Sequence, residues 1–293
     1  MKNEDRKALF SIPIIILIAI GLAAAGSQGS VLFLGMPLFA LSVALAFIIQ
    51  WIVFIPSYIF QTEKFFDLTG SFTYITVTLL SLLFSKVADA RSYLLLALVV
   101  IWAGRLGSFL FARIHKSGKD ARFDDLKPSF PRFLLTWTLQ GLWVSFTLAA
   151  ALAAITSQTR SALDIFALIG VLIWLLGFGI EAIADQQKNK FRSDPANKGR
   201  FIQHGLWSWS RHPNYFGEIV LWVGVAIIAL PILQGWTWLT LISPVFVFLL
   251  LTRISGVPML EKRADEKWGG QEDYETYKDQ TSILVPLPPR KDK

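Results

Sequence analysis

The 293-residue chain has no cysteine and only three histidines. Without thiols it has no disulfide framework, no cysteine metal site and no cysteine nucleophile, although their absence says nothing about compartment. The histidines, His115, His204 and His212, do not stand at metal-ligand spacing with nearby acids, so no metal site is expected. Internal repeats, low-complexity tracts and any stretch resembling a separate soluble domain are also missing. Charge is scarce: 17% of residues are Asp, Glu, Lys or Arg, against 54% hydrophobic. The net charge of +7 would suit nucleic acid if it were clustered. The basic residues instead lie in short segments between apolar runs, which membrane topology explains and nucleic-acid binding does not.

Apolar runs of about eighteen residues or more can cross a bilayer. Eight segments read this way, at 8–26, 31–60, 69–88, 92–112, 133–156, 162–184, 213–231 and 236–252. The second is long enough to tilt, and Pro56 is expected to break it near its end. The last two form a hairpin around 231–235. With the N-terminus inside, the inner segments 1–7, 61–68, 113–132, 185–212 and 253–293 hold 24 of the 28 Lys and Arg residues. The outer loops hold three, and Arg105 lies within a span. The expected fold class is therefore all-α: a polytopic transmembrane helix bundle of about eight helices, both termini cytoplasmic. Residues 8–26 read as an extra N-terminal helix or as a signal peptide ending at AAAGS, with Glu4 and Asp5 favouring the helix. Residues 1–293 read as one membrane domain with a helical core over 61–252. The tail 253–293 is expected to pack back on that core through its aromatics and late SILVPL, the alternative being an unstructured tail.

Ionisable groups are costly in membrane helices, so those retained carry information. Arg105 stands eight residues before Arg113, about 12 Å into the fourth segment. Glu181 and Asp185 close the sixth segment at i, i+4, where the helix dipole disfavours anions. Glu218 opens the seventh and Arg253 ends the eighth, so all fall in one cytoplasmic layer. Arg113, Lys119, Arg122, Arg192, Arg200 and Arg211 add a cationic mouth suited to a phosphate-bearing cofactor. The plainer alternatives are that Arg105 pairs with Glu181 or Glu218 as a strut, and that the loop charges are ordinary positive-inside bias. GFGIEA at 177–182 mimics a dinucleotide fingerprint, but no strand precedes it, so its glycines read as helix-packing positions. Gly104 and Gly107 read the same way. Glu63 and Asp67 stand four apart where the third segment opens. They are either solvated acids at a helix N-terminus or a cavity-facing carboxyl that gives a proton to a substrate oxygen, aided by Tyr74 or Tyr93. Trp51, Trp102, Trp137 and Trp143 either line a flat lipid pocket or simply pack.

The stretch around which these features gather is Gly205–Glu218, GLWSWSRHPNYFGE. Pro213 suits the first helical turn, His212 the cap position before it, and Asn214, Tyr215 and Glu218 the first turn and a half. Asn214 and Glu218 share a face. Here the sequence resembles the membrane steroid 5α-reductase C-terminal superfamily, especially its bacterial branch, and also sterol C14 reductases. The likeness extends from about Glu63 to Pro289 through FDLTGS, GKD-x-RF at 118–123, GIEAIADQQK-x-x-FR at 179–192 and Tyr277 to Pro288. RHP-x-Y alone is shared with isoprenylcysteine methyltransferases. The resemblance implies a membrane-embedded NADPH-dependent reductase of an activated C=C bond in a steroid-like or other lipid. It implies Asp185, Arg192, Arg200, Asn214, Glu218 and Arg253 as cofactor-binding residues, with Arg105 near the nicotinamide. Glu181 replaces the family's usual asparagine, Glu261 its usual tyrosine, and the catalytic Gln-Glu pair is absent; Asp67 or Glu63 falls roughly in its place. A SAM-dependent methyltransferase and a non-catalytic lipid-binding protein are the alternatives. The expected location is a bacterial inner membrane, with the cofactor site facing the cytoplasm.

Overall fold

The computed structural model describes residues 2–117 and 120–290, apart from the side chains of 113–117 and 121. Among the described residues, eight helical segments are long and apolar enough to cross a membrane, one for each expected span. The protein is an all-α, multi-pass integral membrane protein. Its chain divides into two compact units, residues 1–167 with 228–243, and residues 168–227 with 244–293.

The first unit contains α1 (Asn3–Gly26), α2 (Leu38–Ile59), α3 (Phe66–Ser85), α4 (Ala90–Ser117) and α5 (Phe130–Thr156). α5 is its centre, packing on α1, α2 and α3, while α3 also packs on α4. The small side chains of Ala149–Ala151 and Ala153–Ala154 are buried there and admit neighbouring helices closely. Sparse polar pairs add specific ties: Gln50 Nε2 donates to Thr73 Oγ1 at 2.8 Å, and the Ser42 and Ser81 hydroxyls lie 2.7 Å apart. Where α4 begins, Arg91 is buried. Its guanidinium donates to the carbonyls of Ala162, at 2.7 Å, and Ile228, and pairs with Asp164 at 3.0 Å.

Two boundaries differ from expectation. Residues 31–37 do not belong to the second span. Leu32–Phe33 (β1) and Met36–Pro37 (β2) pair antiparallel through Leu34 and Gly35, both at positive φ, a two-residue turn matched to hairpin twist. Nor does Pro56 break α2, which runs on to Ile59. The Pro56 carbonyl still accepts the Phe60 N–H at 2.9 Å, so the last turn closes.

The second unit takes most of α6 (Ile165–Ser193) and α7 (Pro213–Ala229), then α8 (Ile242–Leu249), which runs into a π-helical turn at Leu250–Ile254. α9 (Val257–Trp268) and α10 (Glu272–Gln280) follow. Phe201 makes ring contacts with Trp268, Tyr274 and Tyr277, tying these last helices to the loop before α7. Beyond α10 the chain turns back along that loop. Arg211 N–H donates to the Ser282 carbonyl at 2.8 Å, Ser210 Oγ to the Leu284 carbonyl at 2.8 Å, and Leu287 N–H to the Trp209 carbonyl at 3.0 Å.

Candidate functional site

α6 and α7 cross at glycines. A Cβ on Gly217 would stand 2.6 Å from the Gly177 carbonyl oxygen and from the Glu181 amide nitrogen, and one on Gly224 would stand 2.6 Å from the Gly170 carbonyl oxygen. Backbone therefore lies against backbone, the approach that small residues permit in membranes. Gly177 of GFGIEA is such a packing position; Gly179 faces open space. The crossing brings the C-terminal half of α6 to the start of α7. Asn214 Nδ2 donates to Asp185 Oδ1 at 3.2 Å, and both Glu181 and Asp185 are buried.

The approach to α7 is seated on α6 as well. Leu206 N–H donates to Gln187 Oε1 and Trp207 Nε1–H to the Ala184 carbonyl, each at 3.0 Å, while the Lys188 ammonium lies 4.2 Å from the Trp207 ring centre. α7 opens at Pro213, where a missing N–H costs nothing. His212, only 4% exposed, stacks on Tyr215 with ring centroids 5.6 Å apart. Its Nε2 lies 2.8 Å from Glu261 Oε1. Arg211 Nη1 lies 2.7 Å from the other carboxylate oxygen, an ion-pair distance, though off the hydrogen-bonding direction.

Burial holds His212 below the usual imidazole pKa, outweighing the Glu261 carboxylate, which acts in the opposite sense; Lys188 and Arg211 reinforce the lowering. The neutral ring donates through Nε2–H to Glu261. That leaves Nδ1 as a buried acceptor with no hydrogen-bond partner among the described residues. Asp185, Asn214, Tyr215, His212 and Arg211 are thus gathered at one helix N-terminus, and Glu218 lies one turn along α7. Arg192, Arg200 and Arg253 are solvent-exposed in the same unit, Arg253 within the π-helical turn. Arg211 is committed to Glu261 and is no free member of a cationic mouth. The side chain of Arg113 and residue Lys119 lie outside the described residues.

The expected proton-donating group belongs to the first unit, where the structure separates its members. Glu63 precedes α3 and is not on one helical face with Asp67, because α3 starts only at Phe66. Glu63 accepts the Asp120 N–H at 2.9 Å and pairs with the Lys127 ammonium. Burial pushes its carboxyl up, but the hydrogen bonds from Lys127 and Asp120 outweigh that and hold it below the usual carboxylate range. Glu63 is therefore an ionised strut. Asp67 lies half-buried in the first turn of α3.

Tyr74 is buried edge-on to Trp102, ring centroids 5.0 Å apart. That contact, with Ser71 against Gly107, fixes the antiparallel register of α3 and α4. By that register the backbone of Arg105 lies about 6–9 Å along the axis from that of Asp67, whereas Tyr93 lies about 24–27 Å away. Tyr93, 58% exposed, cannot share a site with Asp67. Trp102 and Trp137 are buried packing residues, and Trp51 donates to Thr138 Oγ1 at 3.1 Å. Gly107 packs against Ser71, whereas Gly104 has open space around it.

Sequence reasoning missed Glu261 as the partner of His212, and Lys127 as the partner of Glu63. These pairs span 49 and 64 residues, so no local spacing announces them.

The chain is 23% identical over 231 residues to an uncharacterized protein of Schizosaccharomyces pombe, covering 69% of this chain and 65% of that protein. It is 29% identical over 120 residues to the 3-oxo-5-alpha-steroid 4-dehydrogenase 1 of Bos taurus, covering 41% of each. It thus spans less than two thirds of the length of either relative. No solved structure matches. The model of the DUF1295 family, described as proteins of unknown function, matches residues 53–281, most of the chain, and the chain belongs to that family.

Proposed function

We propose that this protein is a membrane-embedded, NADPH-dependent reductase of an activated C=C bond in a lipid-like, enone-bearing substrate. The observation that carries the reading is the start of α7. Asn214 is fixed by Asp185, and the buried His212 Nδ1 has an unfilled acceptor role. A helix N-terminus favours a phosphate group, and the exposed Arg192, Arg200 and Arg253 add positive charge suited to one. The residues present therefore fit a phosphate-bearing nicotinamide cofactor, and the similarity to the bovine steroid dehydrogenase supports this choice.

Bound NADPH would supply the hydride. Asn214 and Asp185 would orient the amide and hydroxyl groups of the bound nucleotide, and Glu218, one turn deeper, would extend that polar face. Hydride addition to an enone builds negative charge on the carbonyl oxygen, and a donor aimed at that oxygen lowers the barrier. We assign this role to the carboxyl group of Asp67, in the first turn of α3. The bilayer supplies the substrate, and the cytoplasm the nucleotide.

The test is binding by purified protein in detergent. NADPH is expected to raise the melting temperature and to change its own fluorescence, SAM to do neither, and Asn214→Ala to weaken NADPH binding about tenfold or more. Tight SAM binding with indifference to NADPH would replace this reading with a methyltransferase. Binding of neither would leave a lipid-binding protein.

A further inference from the structure

The returning C-terminal segment has two faces. From Ser282 to Leu287 burial alternates residue by residue: Ser282, Leu284 and Pro286 are partly buried, whereas Ile283, Val285 and Leu287 are exposed. The segment is not a regular strand: Ser282 forms an isolated bridge with Ser210, and the chain bends at 283–285 while staying bonded to the 209–211 segment. The inner face is accounted for. Ser282 and Leu284 carbonyls accept from Arg211 and Ser210, the Ser210–Ser282 pairing is parallel, and Tyr277 Oη–H donates to the Trp207 carbonyl at 2.7 Å. The outer face is three branched apolar side chains in a row. Trp209, on the segment they pair with, is about half exposed too.

Four large apolar side chains side by side, backed by hydrogen-bonded chain, are not left to water without cause. Their position says what covers them. Trp209 lies four residues before Pro213, the first residue of a membrane span, and the returning segment is bonded to that same 209–211 segment. The strip is therefore held where α7 leaves the membrane, at the headgroup level where tryptophan is enriched. Arg290 follows the apolar residues, and its N–H donates to the Gln280 carbonyl at 3.0 Å, turning the chain back toward α10. A basic group beside an apolar strip complements an anionic lipid surface.

We infer that Trp209, Ile283, Val285 and Leu287 form an interfacial lipid-binding strip, dipping into the headgroup and upper acyl region of the leaflet where α7 begins. The returning segment is thereby a non-spanning membrane anchor. It clamps residues 209–211, and with them the entrance to α7, to the bilayer surface. The inference is independent of the reaction assigned to the protein.

The chain has no cysteine, so single cysteines label cleanly. Ile283→Cys and Val285→Cys, with the exposed Asp279→Cys on α10 as reference, would each carry an environment-sensitive fluorophore. The full chain would be reconstituted in phosphatidylcholine vesicles containing phosphatidylglycerol. Labels at 283 and 285 are expected to be quenched strongly by lipids brominated near the headgroup. They should be protected from aqueous iodide about threefold or more relative to 279. Ile283 is 50% and Val285 47% exposed, so neither substitution opens a cavity in the buried core. If iodide reaches 283 and 285 as readily as 279, the strip faces water, the lipid assignment fails, and a protein partner becomes the alternative occupant. Shielding from both quenchers would also overturn it, because the strip would then be buried in protein.

Discussion

A single carboxylate shows how pairing fixes chemical role. Glu63 could serve either as a neutral donor or as an anion, and its surroundings choose the anion. It accepts a backbone N–H from Asp120 and pairs with Lys127, whose side chain is itself mostly buried. Removing one partner of such a pair leaves the other charge without compensation. Glu63→Gln is expected to lower stability at pH 7 by about 1.5–3 kcal/mol, the range for a hydrogen bond to a charged group. The pH dependence has a definite sign. The folded pKa lies below the ordinary 4.5, so the unfolded chain binds more protons in that window. This stabilisation is complete above about pH 4.5 and is lost as pH falls through the folded value. Thermal unfolding in detergent between pH 3 and 7 should show a steeper acid decline for the parent than for Glu63→Gln. Parallel curves would show that the pair contributes nothing.

At the level of elements, the α6–α7 crossing positions the candidate site. Gly217→Ala puts a Cβ 2.6 Å from Gly177 O and Glu181 N, and backbone on both sides cannot step aside as a flexible side chain would. Overpacking of this kind costs about 1–3 kcal/mol. Because Asn214 and Asp185 sit at the same crossing, the proposed NADPH affinity should fall with the melting temperature. Gly179→Ala, into open space on α6, is the internal control and should be neutral or stabilising by up to about 1 kcal/mol. Equal effects of the two substitutions would show that the close approach does not matter. Much of this architecture was legible in the chain. Bilayer thickness forces long apolar runs, and the eight spans were read from those runs alone. GFGIEA was read as packing, and Gly177 does pack. The hairpin at 32–37 was hidden because its strands are as apolar as the span that follows. The pairing of His212 with Glu261, and of Ser210 with Ser282, joins residues far apart in sequence, and periodicity carries no trace of such contacts.

For the whole molecule, the distribution of charge argues orientation. Of 28 lysines and arginines, 24 fall in segments on one side of an eight-span arrangement. Three fall on the other side, and of these Arg91 and Arg160 have structural partners. Arg91 holds Asp164 and the Ala162 carbonyl, and Arg160 donates to Ser92 Oγ at 3.0 Å. Basic residues resist translocation, so short loops carrying many of them stay on the cytoplasmic side. An even number of crossings would then place both ends there, together with the last turn of α6, which carries Arg192, and the loop after it, which carries Arg200. The proposed cofactor reading requires this orientation, because NADPH is supplied from the cytoplasm. Ala162 and Ala196 are both exposed, one before α6 and one after it, and each can become the only cysteine in the protein. In intact cells a membrane-impermeant maleimide is expected to label Ala162→Cys, and to label Ala196→Cys only after permeabilisation. The reverse pattern would invert the topology and put Asn214 and Asp185 on the side away from the nucleotide pool. Labelling of both positions in intact cells would mean that α6 does not cross the membrane. The count of spans, and with it the site's assignment to the cytoplasmic side, would then have to be withdrawn.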